Sequence, residues 1–503
     1  MRRENTARNR RVVTGRHLLV IIGSLTVAAL GSACSGGSDA TPETSATTPP
    51  RPAGPAADLH ELSGGKGVNM GASTTVVNLT GTGYVEDEYV ASGTATSYNP
   101  QGALAPDGRW TFQPGSTAAY STRVLVRRPA AGKFSGTVVV EWLNVSGGAD
   151  SDAMWANTHE ELMRRGDAWV GVSAQRIGVM GGSALVSAGG APASSGLVGA
   201  DPARYGSLDQ PGDGYSFDIF TQAARAVRGG GMATGGLKPR HVLAAGQSQS
   251  AYALVTYING VQPLTRAFDG FLVLSRGAGA LPLVAPGQPA SLADRPAQSP
   301  TVIRTDTDVP VLEAQAEGDL TVVLNSLSSR QPDSDRFRLW EVAGAAHADA
   351  HTLGPFVSAI DCGAPLNNAP MHLVVKAALH ALENWVSAGT RPATAPRIEV
   401  TPDSPPQIGR DANGIARGGV RTPPVDVPVA VLSGKPGPSG SPICQLFGST
   451  IPLPAERLAA LYPSRDAYLR QYTTAVDSTI KAGFVLEADR AALLAFAQPS
   501  DIK

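Results

Sequence analysis

Arg240-His-Val-Leu-Ala-Ala-Gly-Gln-Ser-Gln-Ser-Ala-Tyr252 decides how this chain is read. His241 to Ala245 is an apolar run of strand length, Gly246-Gln-Ser248-Gln-Ser250 is a sharp turn, and Ala251 to Ile258 opens an Ala-rich helix. Strand, tight turn and helix around a central Ser make a nucleophile elbow. So tight a turn holds its Ser in a strained conformation and projects the hydroxyl at the edge of the sheet. The positions two before and two after must be small, because strand and helix backbones nearly touch there. Gly246 meets that demand, and Ser250 stands where Gly is usual. The bare pattern recurs at Gly437-Pro-Ser439-Gly-Ser441, but its flanks are rich in Pro and Gly and no strand leads in. Context therefore selects Ser248 over an ordinary strand–helix turn.

A Ser hydroxyl acts as a nucleophile only with a base to take its proton and an acid to orient that base. The order Ser, acid, His is the one such elbows use. Downstream, Phe337-Arg-Leu-Trp-Glu-Val-Ala-Gly344-Ala-Ala-His347 reads as a strand, a Gly turn and a His. His347 is the expected base, with His351, His159 and His380 as rivals. Val309-Pro-Val-Leu-Glu-Ala-Gln-Ala-Glu317-Gly-Asp319 reads as a strand ending in two carboxylates. Asp319 is favoured by its distance from the strand, and Glu317 stays open as the alternative acid. The oxyanion needs backbone N–H donors. Gln249, next after the nucleophile, supplies one. The small loop Asn144-Val-Ser-Gly-Gly148 is expected to supply the second, through Val145, with Asn144 as donor or as a side-chain pin of the loop.

Strands and helices alternate around these points. Strand runs fall at Thr137–Leu143, Ala168–Ser173, Arg240–Ala245, Phe268–Leu274, Val309–Ala316 and Phe337–Val342. Helical runs fall at Asp150–Arg165, Tyr215–Arg228, Gln249–Asn259 and Pro370–Ala388. Such alternation predicts a mostly parallel, three-layer α/β sheet. Strand-like runs from Leu59 to Arg128, such as Thr75–Leu79 and Thr122–Val126, predict antiparallel strands opening that sheet. Two long insertions, Arg176–Asp213 and Gly277–Asp308, are placed to wall or lid a pocket. From about residue 390 a C-terminal appendage begins, with strand runs at Arg397–Val400 and Val427–Leu432 and helices at Pro463–Ala482 and Leu486–Ala497.

The ends and the charge bound the setting. Six Arg lie in Met1–Arg16, followed by an apolar run Leu18–Ala33 that is short for a membrane span. Leu30-Gly-Ser-Ala-Cys34 resembles a bacterial lipobox, so residues 1–33 are expected to be a signal peptide, with lipidation at Cys34 and a plain secretory signal as the alternative. Residues 34–58 are rich in Ser, Thr, Pro and Ala and are expected to be a disordered linker. The folded domain, with its C-terminal appendage, is then expected over 59–503. Beyond residue 33 there are 35 basic and 41 acidic residues with no basic cluster, which argues against nucleic-acid binding. Cys362 and Cys444 are expected to form a disulfide, worth about 3–4 kcal/mol, two free thiols being the alternative. The eight His show no paired metal-ligand spacing beyond His347-x3-His351. No phosphate loop or dinucleotide fingerprint is present, so neither metal nor cofactor is expected.

With these residues in hand, the chain resembles the α/β-hydrolase superfamily, and more narrowly a bacterial family of exported proteins with such a domain. The likeness rests on Val139-Val-Glu-Trp-Leu-Asn-Val-Ser, Gly246-Gln-Ser-Gln-Ser, Glu317-Gly-Asp319, Trp340-Glu-Val-Ala-Gly-Ala-Ala-His-Ala-Asp349 and Gly418-Gly-Val-Arg-Thr-Pro. It implies an α/β-hydrolase fold and a serine hydrolase acting on carboxylic esters, carries over Ser248 and His347, leaves Glu317 and Asp319 both open, and names no substrate beyond a small-molecule ester. An acyltransferase with the same triad, or a non-catalytic ligand-binding lipoprotein on the same fold, are the alternatives.

Overall fold

Apolar runs with no polar face are the material of the sheet's centre. Val138-Val-Val140, Val170, Leu243-Ala-Ala245, Phe271-Leu-Val-Leu274 and Val311-Leu312 are all buried. Strands covered on both faces need such sequences. The structure is a computed structural model, which describes residues 51–502 apart from 71–76, 185–193, 232–233, 322 and 440. Among these residues one sheet has nine strands. They are β1 (Asp58–Glu61), β2 (Tyr84–Pro100), β3 (Phe112–Pro129), β4 (Thr137–Trp142), β5 (Ala168–Val172), β6 (His241–Gln247), β7 (Gly270–Leu274), β8 (Val311–Ala316) and β9 (Phe337–Val342). The spatial order is β1-β2-β3-β5-β4-β6-β7-β8-β9. β1, β2, β3 and β5 pair antiparallel in turn, and every pair from β5 through β9 is parallel.

Alternation along β4 sorts its side chains between two cores. Val138, Val140 and Trp142 enter the first, with Phe217 and Phe220 of helix Ser216–Gly229. The Trp142 ring lies 5.4 Å from Phe217 and 5.1 Å from Phe220. Val139 enters the second core with Trp155 and Leu162 of helix Ala153–Arg165, and with Leu373 and Leu379 of helix Met371–Ala388. Glu141 also points to this side. Its carboxylate accepts Met154 N–H at 2.8 Å and Trp155 N–H at 3.0 Å, so it satisfies the open start of that helix. This is an α/β-hydrolase sheet between two layers of helices.

Several sequence expectations take a different form. The signal peptide, Cys34 and most of the linker lie outside the described residues, as do residues 75 and 76 of the run Thr75–Leu79. Residues 51–58, read as the end of a disordered linker, are bound to the body. Ala57 is buried and donates to Gln222 O at 3.0 Å, and Arg51 pairs with Asp269. A few apolar and charged anchors there outweigh a loop-like composition. The first insertion contains helices Arg176–Met180, Gly196–Ala200 and Pro202–Tyr205. The expected strand Arg397–Val400 makes only isolated bridges, Ile398 to Gly418 and Val400 to Ile408. In the appendage, β10 (Ala430–Ser433) pairs antiparallel with β11 (Ser449–Pro452). Helix Arg465–Lys481 buries Tyr468, Tyr472 and Val476 in the second core. Cys362 and Cys444 form a disulfide, with Cα atoms 5.6 Å apart, tying the segment after β9 to this appendage.

Candidate active site

The parallel strands end in a row at one edge, and the turns after β6, β8 and β9 meet there. At the end of β6, Ser248 has φ 59° and ψ −121° and donates its N–H to Leu274 O at the end of β7, at 2.9 Å. A non-Gly residue in that region is strained, and surrounding bonds must hold it. The close approach behind it is real. A Cβ on Gly246 would stand 3.0 Å from Ser250 Cβ and 3.2 Å from Leu254 Cδ1. Ser250 fits because only Gly246 faces it, but its Oγ is buried with no partner among the described residues.

Three side chains form one hydrogen-bonded line. Ser248 Oγ lies 2.9 Å from His347 Nε2, and His347 Nδ1 lies 2.7 Å from Asp319 Oδ1. A carboxylate beside Nδ1 fixes the proton on that nitrogen and leaves Nε2 to accept from the Ser hydroxyl. Asp319 Oδ2 is held in turn by Ala316 N–H at 2.7 Å. Asp319 is fully buried, His347 is 8% exposed and Ser248 is more open, so access increases toward the hydroxyl.

The two carboxylates left open by the sequence separate here. Glu317, although buried, does not bond His347. Its Oε2 accepts Gly344 N–H at 2.8 Å, and its Oε1 accepts Arg410 Nη2 at 2.6 Å, Ser433 Oγ at 3.1 Å and Gly434 N–H at 3.1 Å. The rival histidines lie elsewhere. His351 stacks on His372 with ring centroids 3.7 Å apart, His159 meets Trp155 O at 3.2 Å, and His380 meets Glu161 at 2.8 Å. The second Gly-x-Ser-x-Ser copy has Ser439 Oγ against the disulfide sulfur of Cys444 at 3.3 Å.

The loop after β4 folds against the elbow. Asn144 Nδ2 donates to Gln247 O at 2.9 Å, and its Oδ1 accepts Ser146 N–H at 2.8 Å, so its side chain pins the loop rather than facing the hydroxyl. The Gln249 N–H opens its helix with no backbone acceptor among the described residues. Val145 N–H points at Gln249 Oε1, 3.5 Å away. Gln249 thus touches both sides of the site.

A second set of residues was not anticipated. Gln249 Nε2 donates to Gln175 Oε1, which also accepts Trp142 Nε1 at 3.0 Å. Gln175 Nε2 lies 3.4 Å from Asp213 Oδ2. Asp213 accepts Arg176 N–H and Ala290 N–H, each at 2.8 Å, so it clasps the two insertions together. Burial pushes its carboxyl up, partly offset by those donors. The chain Ala290–Asp213–Gln175–Gln249–Val145 links both insertions to the loop after β4. Amides carry no motif. The one available signal was Gln175 three residues beyond the end of β5.

The family model described as an alpha/beta hydrolase domain matches residues 50–495. No curated protein matches by sequence. Among solved structures, an α/β serine hydrolase without lid from Xanthomonas campestris is 15% identical with TM-score 0.25, covering 50% of this chain and 83% of that one. An esterase from the fungus Rhizomucor miehei is 12% identical with TM-score 0.31, covering 59% and 85%. A glucuronoyl esterase from Solibacter usitatus is 13% identical with TM-score 0.29, covering 58% and 83%. These likenesses are too distant to carry an argument about substrate. The family match spans most of the chain and agrees with its sheet and its elbow, and this chain belongs to the alpha/beta hydrolase domain family.

Proposed function

We propose that the protein is a serine hydrolase acting on carboxylic esters. One observation carries the reading: a strained Ser248 whose hydroxyl bonds His347, itself held by buried Asp319. His347 Nε2 takes the proton as Ser248 Oγ attacks the ester carbonyl, and Asp319 stabilises the imidazolium that forms. The oxyanion develops toward Gln249 N–H, with Val145 N–H as second donor once Gln249 Oε1 gives way. His347 then returns the proton to the leaving alcohol, and water repeats the sequence on the acyl-enzyme. No step calls for a metal or cofactor.

We further propose that the protein is exported and held at the cell envelope. The basic and apolar N-terminus and the lipobox-like Cys34 support export and lipid anchoring, and the Cys362–Cys444 disulfide fits an oxidising compartment. Among the described residues no helix is long and apolar enough to cross a membrane. Labelling with an alkyne fatty acid, lost in Cys34→Ala, tests the anchor.

The function is tested by treating the mature protein with a fluorophosphonate and locating the adduct by peptide mass. A single adduct on Ser248 is expected, and Ser248→Ala is expected to lower ester turnover by about 10⁴–10⁶-fold without unfolding. A folded wild-type protein that takes no label and hydrolyses no ester would overturn the reading.

A further inference from the structure

We propose that Glu317 is a positioning residue for the triad, and that it works by fastening the acid turn and the base turn to Ser433–Gly434 of the C-terminal appendage. The proposal rests on the serine-hydrolase reading of Ser248, His347 and Asp319. Glu317 is 1% exposed and stands two residues before Asp319. Its carboxylate receives four donors from three separate segments. Gly344 N–H, at 2.8 Å, belongs to the turn that carries His347. Arg410 Nη2 at 2.6 Å, Ser433 Oγ at 3.1 Å and Gly434 N–H at 3.1 Å belong to the appendage.

The turns interlock beyond this carboxylate. Gly318 N–H donates to Ala345 O at 3.1 Å, joining the acid turn to the base turn directly. Asn367 is fully buried and grips the same base turn from the other side, with Nδ2 at 2.7 Å from Gly344 O and 3.1 Å from Ser433 O. The Gly344 N–H is thus held by Glu317 and its carbonyl by Asn367, and both side chains also hold Ser433 or its neighbour. The fit leaves no slack. A Cβ on Gly434 would stand 2.2 Å from Gly318 N, and one on Gly344, at φ +76°, would stand 2.8 Å from Val425 Cγ2. A buried carboxylate is stable only with its charge and lone pairs matched, and Arg410 with three neutral donors does so here. Glutamine at this place would turn an NH₂ toward one set of donors and push one turn off. The distance between Asp319 and His347 depends on those turns, and a misplacement of about 1 Å costs about 10²-fold in rate.

The test uses the full mature protein with p-nitrophenyl acetate, and the far-downfield proton resonance of His347 Nδ1–H, which reports its bond to Asp319 and vanishes in Asp319→Asn. Glu317→Gln should unfold cooperatively, lose about 10²-fold in kcat with KM within a few-fold, and show the resonance shifted or broadened. A folded Glu317→Gln with kcat and resonance of the wild type overturns the proposal. Should that variant not fold, Ser433→Ala and Arg410→Gln each remove one donor and should give smaller changes in the same two readouts. Both unchanged would be equally fatal. If Ser248→Ala and Asp319→Asn hydrolyse the ester like the wild type, the serine-hydrolase reading fails instead. The resonance needs no turnover, so it still decides whether Glu317 sets the His347–Asp319 contact.

Discussion

Ser250 shows how narrow the tolerance around the nucleophile is. Its Cβ is accepted because Gly246 has none, while its hydroxyl lies buried without a partner among the described residues. Removing an unsatisfied buried hydroxyl gains roughly 1 kcal/mol or more. Ser250→Ala is therefore expected to raise the urea midpoint at constant m-value. Gly246→Ala should lower stability by about 1–3 kcal/mol, since the new methyl meets Ser250 Cβ and Leu254 Cδ1. Gln175 is critical in another way. Gln175→Leu strands Gln249 Nε2 and Trp142 Nε1 in the interior, so stability should fall by about 1–3 kcal/mol. Ester turnover should fall by up to about 10²-fold as Gln249 and the Val145 loop drift. Ester kinetics beside urea melts read both effects, and full activity in a folded variant would remove the network from the mechanism. The motif around Ser248 was legible because its spacing is local. The choice between Glu317 and Asp319 was not. It is made by Arg410, 93 residues from Glu317, and by Ser433, 116 residues away.

At the scale of elements, the strands of the sheet's centre could be read directly, because burial on both faces forces continuous apolar runs. β2 was harder. Its 17 residues mix Glu, Asp, Thr, Ser and Gly, since one face of this outer strand is open and no apolar run forms. Helices Ala153–Arg165 and Met371–Ala388 were legible by period, but not the acidic knot near their contact. Arg165 pairs with Glu383 and lies 3.5 Å from Asp167 Oδ2. Burial, then the charge of Asp167, pushes the Glu383 carboxyl well above the usual range. Burial pushes Asp167 up to about 6. Both values exceed those of the unfolded chain, so the protonated forms favour the fold. That contribution is whole below the unfolded carboxylate range and is lost as pH climbs through about 6. The protein should lose stability as pH rises from the unfolded carboxylate range through about 6. Glu383→Gln, which keeps the shape without the charge, should flatten that loss. Urea midpoints across the range check it, and parallel curves for both proteins would contradict it.

Across the whole molecule, the appendage is fastened to the catalytic body by the second core, by Glu317 and by the disulfide. Cys362 and Cys444 are 82 residues apart, and a loop of that length is worth about 4–5 kcal/mol in the chain-entropy model, a little above the expectation from sequence. Reduction should lower the urea midpoint accordingly, and Cys362→Ala with Cys444→Ala should reproduce the reduced protein. An unchanged midpoint would show that the core alone fixes the appendage. This pairing was legible because only these two Cys remain beyond residue 34. The reach of the appendage into the site was not, because its partners are single side chains in Gly- and Pro-rich sequence.

The clamp on Glu317 also imposes an order in time. A chain made from its N-terminus has Ser248, Asp319 and His347 well before Arg410, Ser433 and Gly434. The nascent protein therefore holds all three triad side chains while still lacking the contacts that set their spacing. On the proposal made for Glu317, catalytic competence should arrive late in synthesis, and a fragment ending before residue 410 is expected to turn over ester far more slowly than the finished chain.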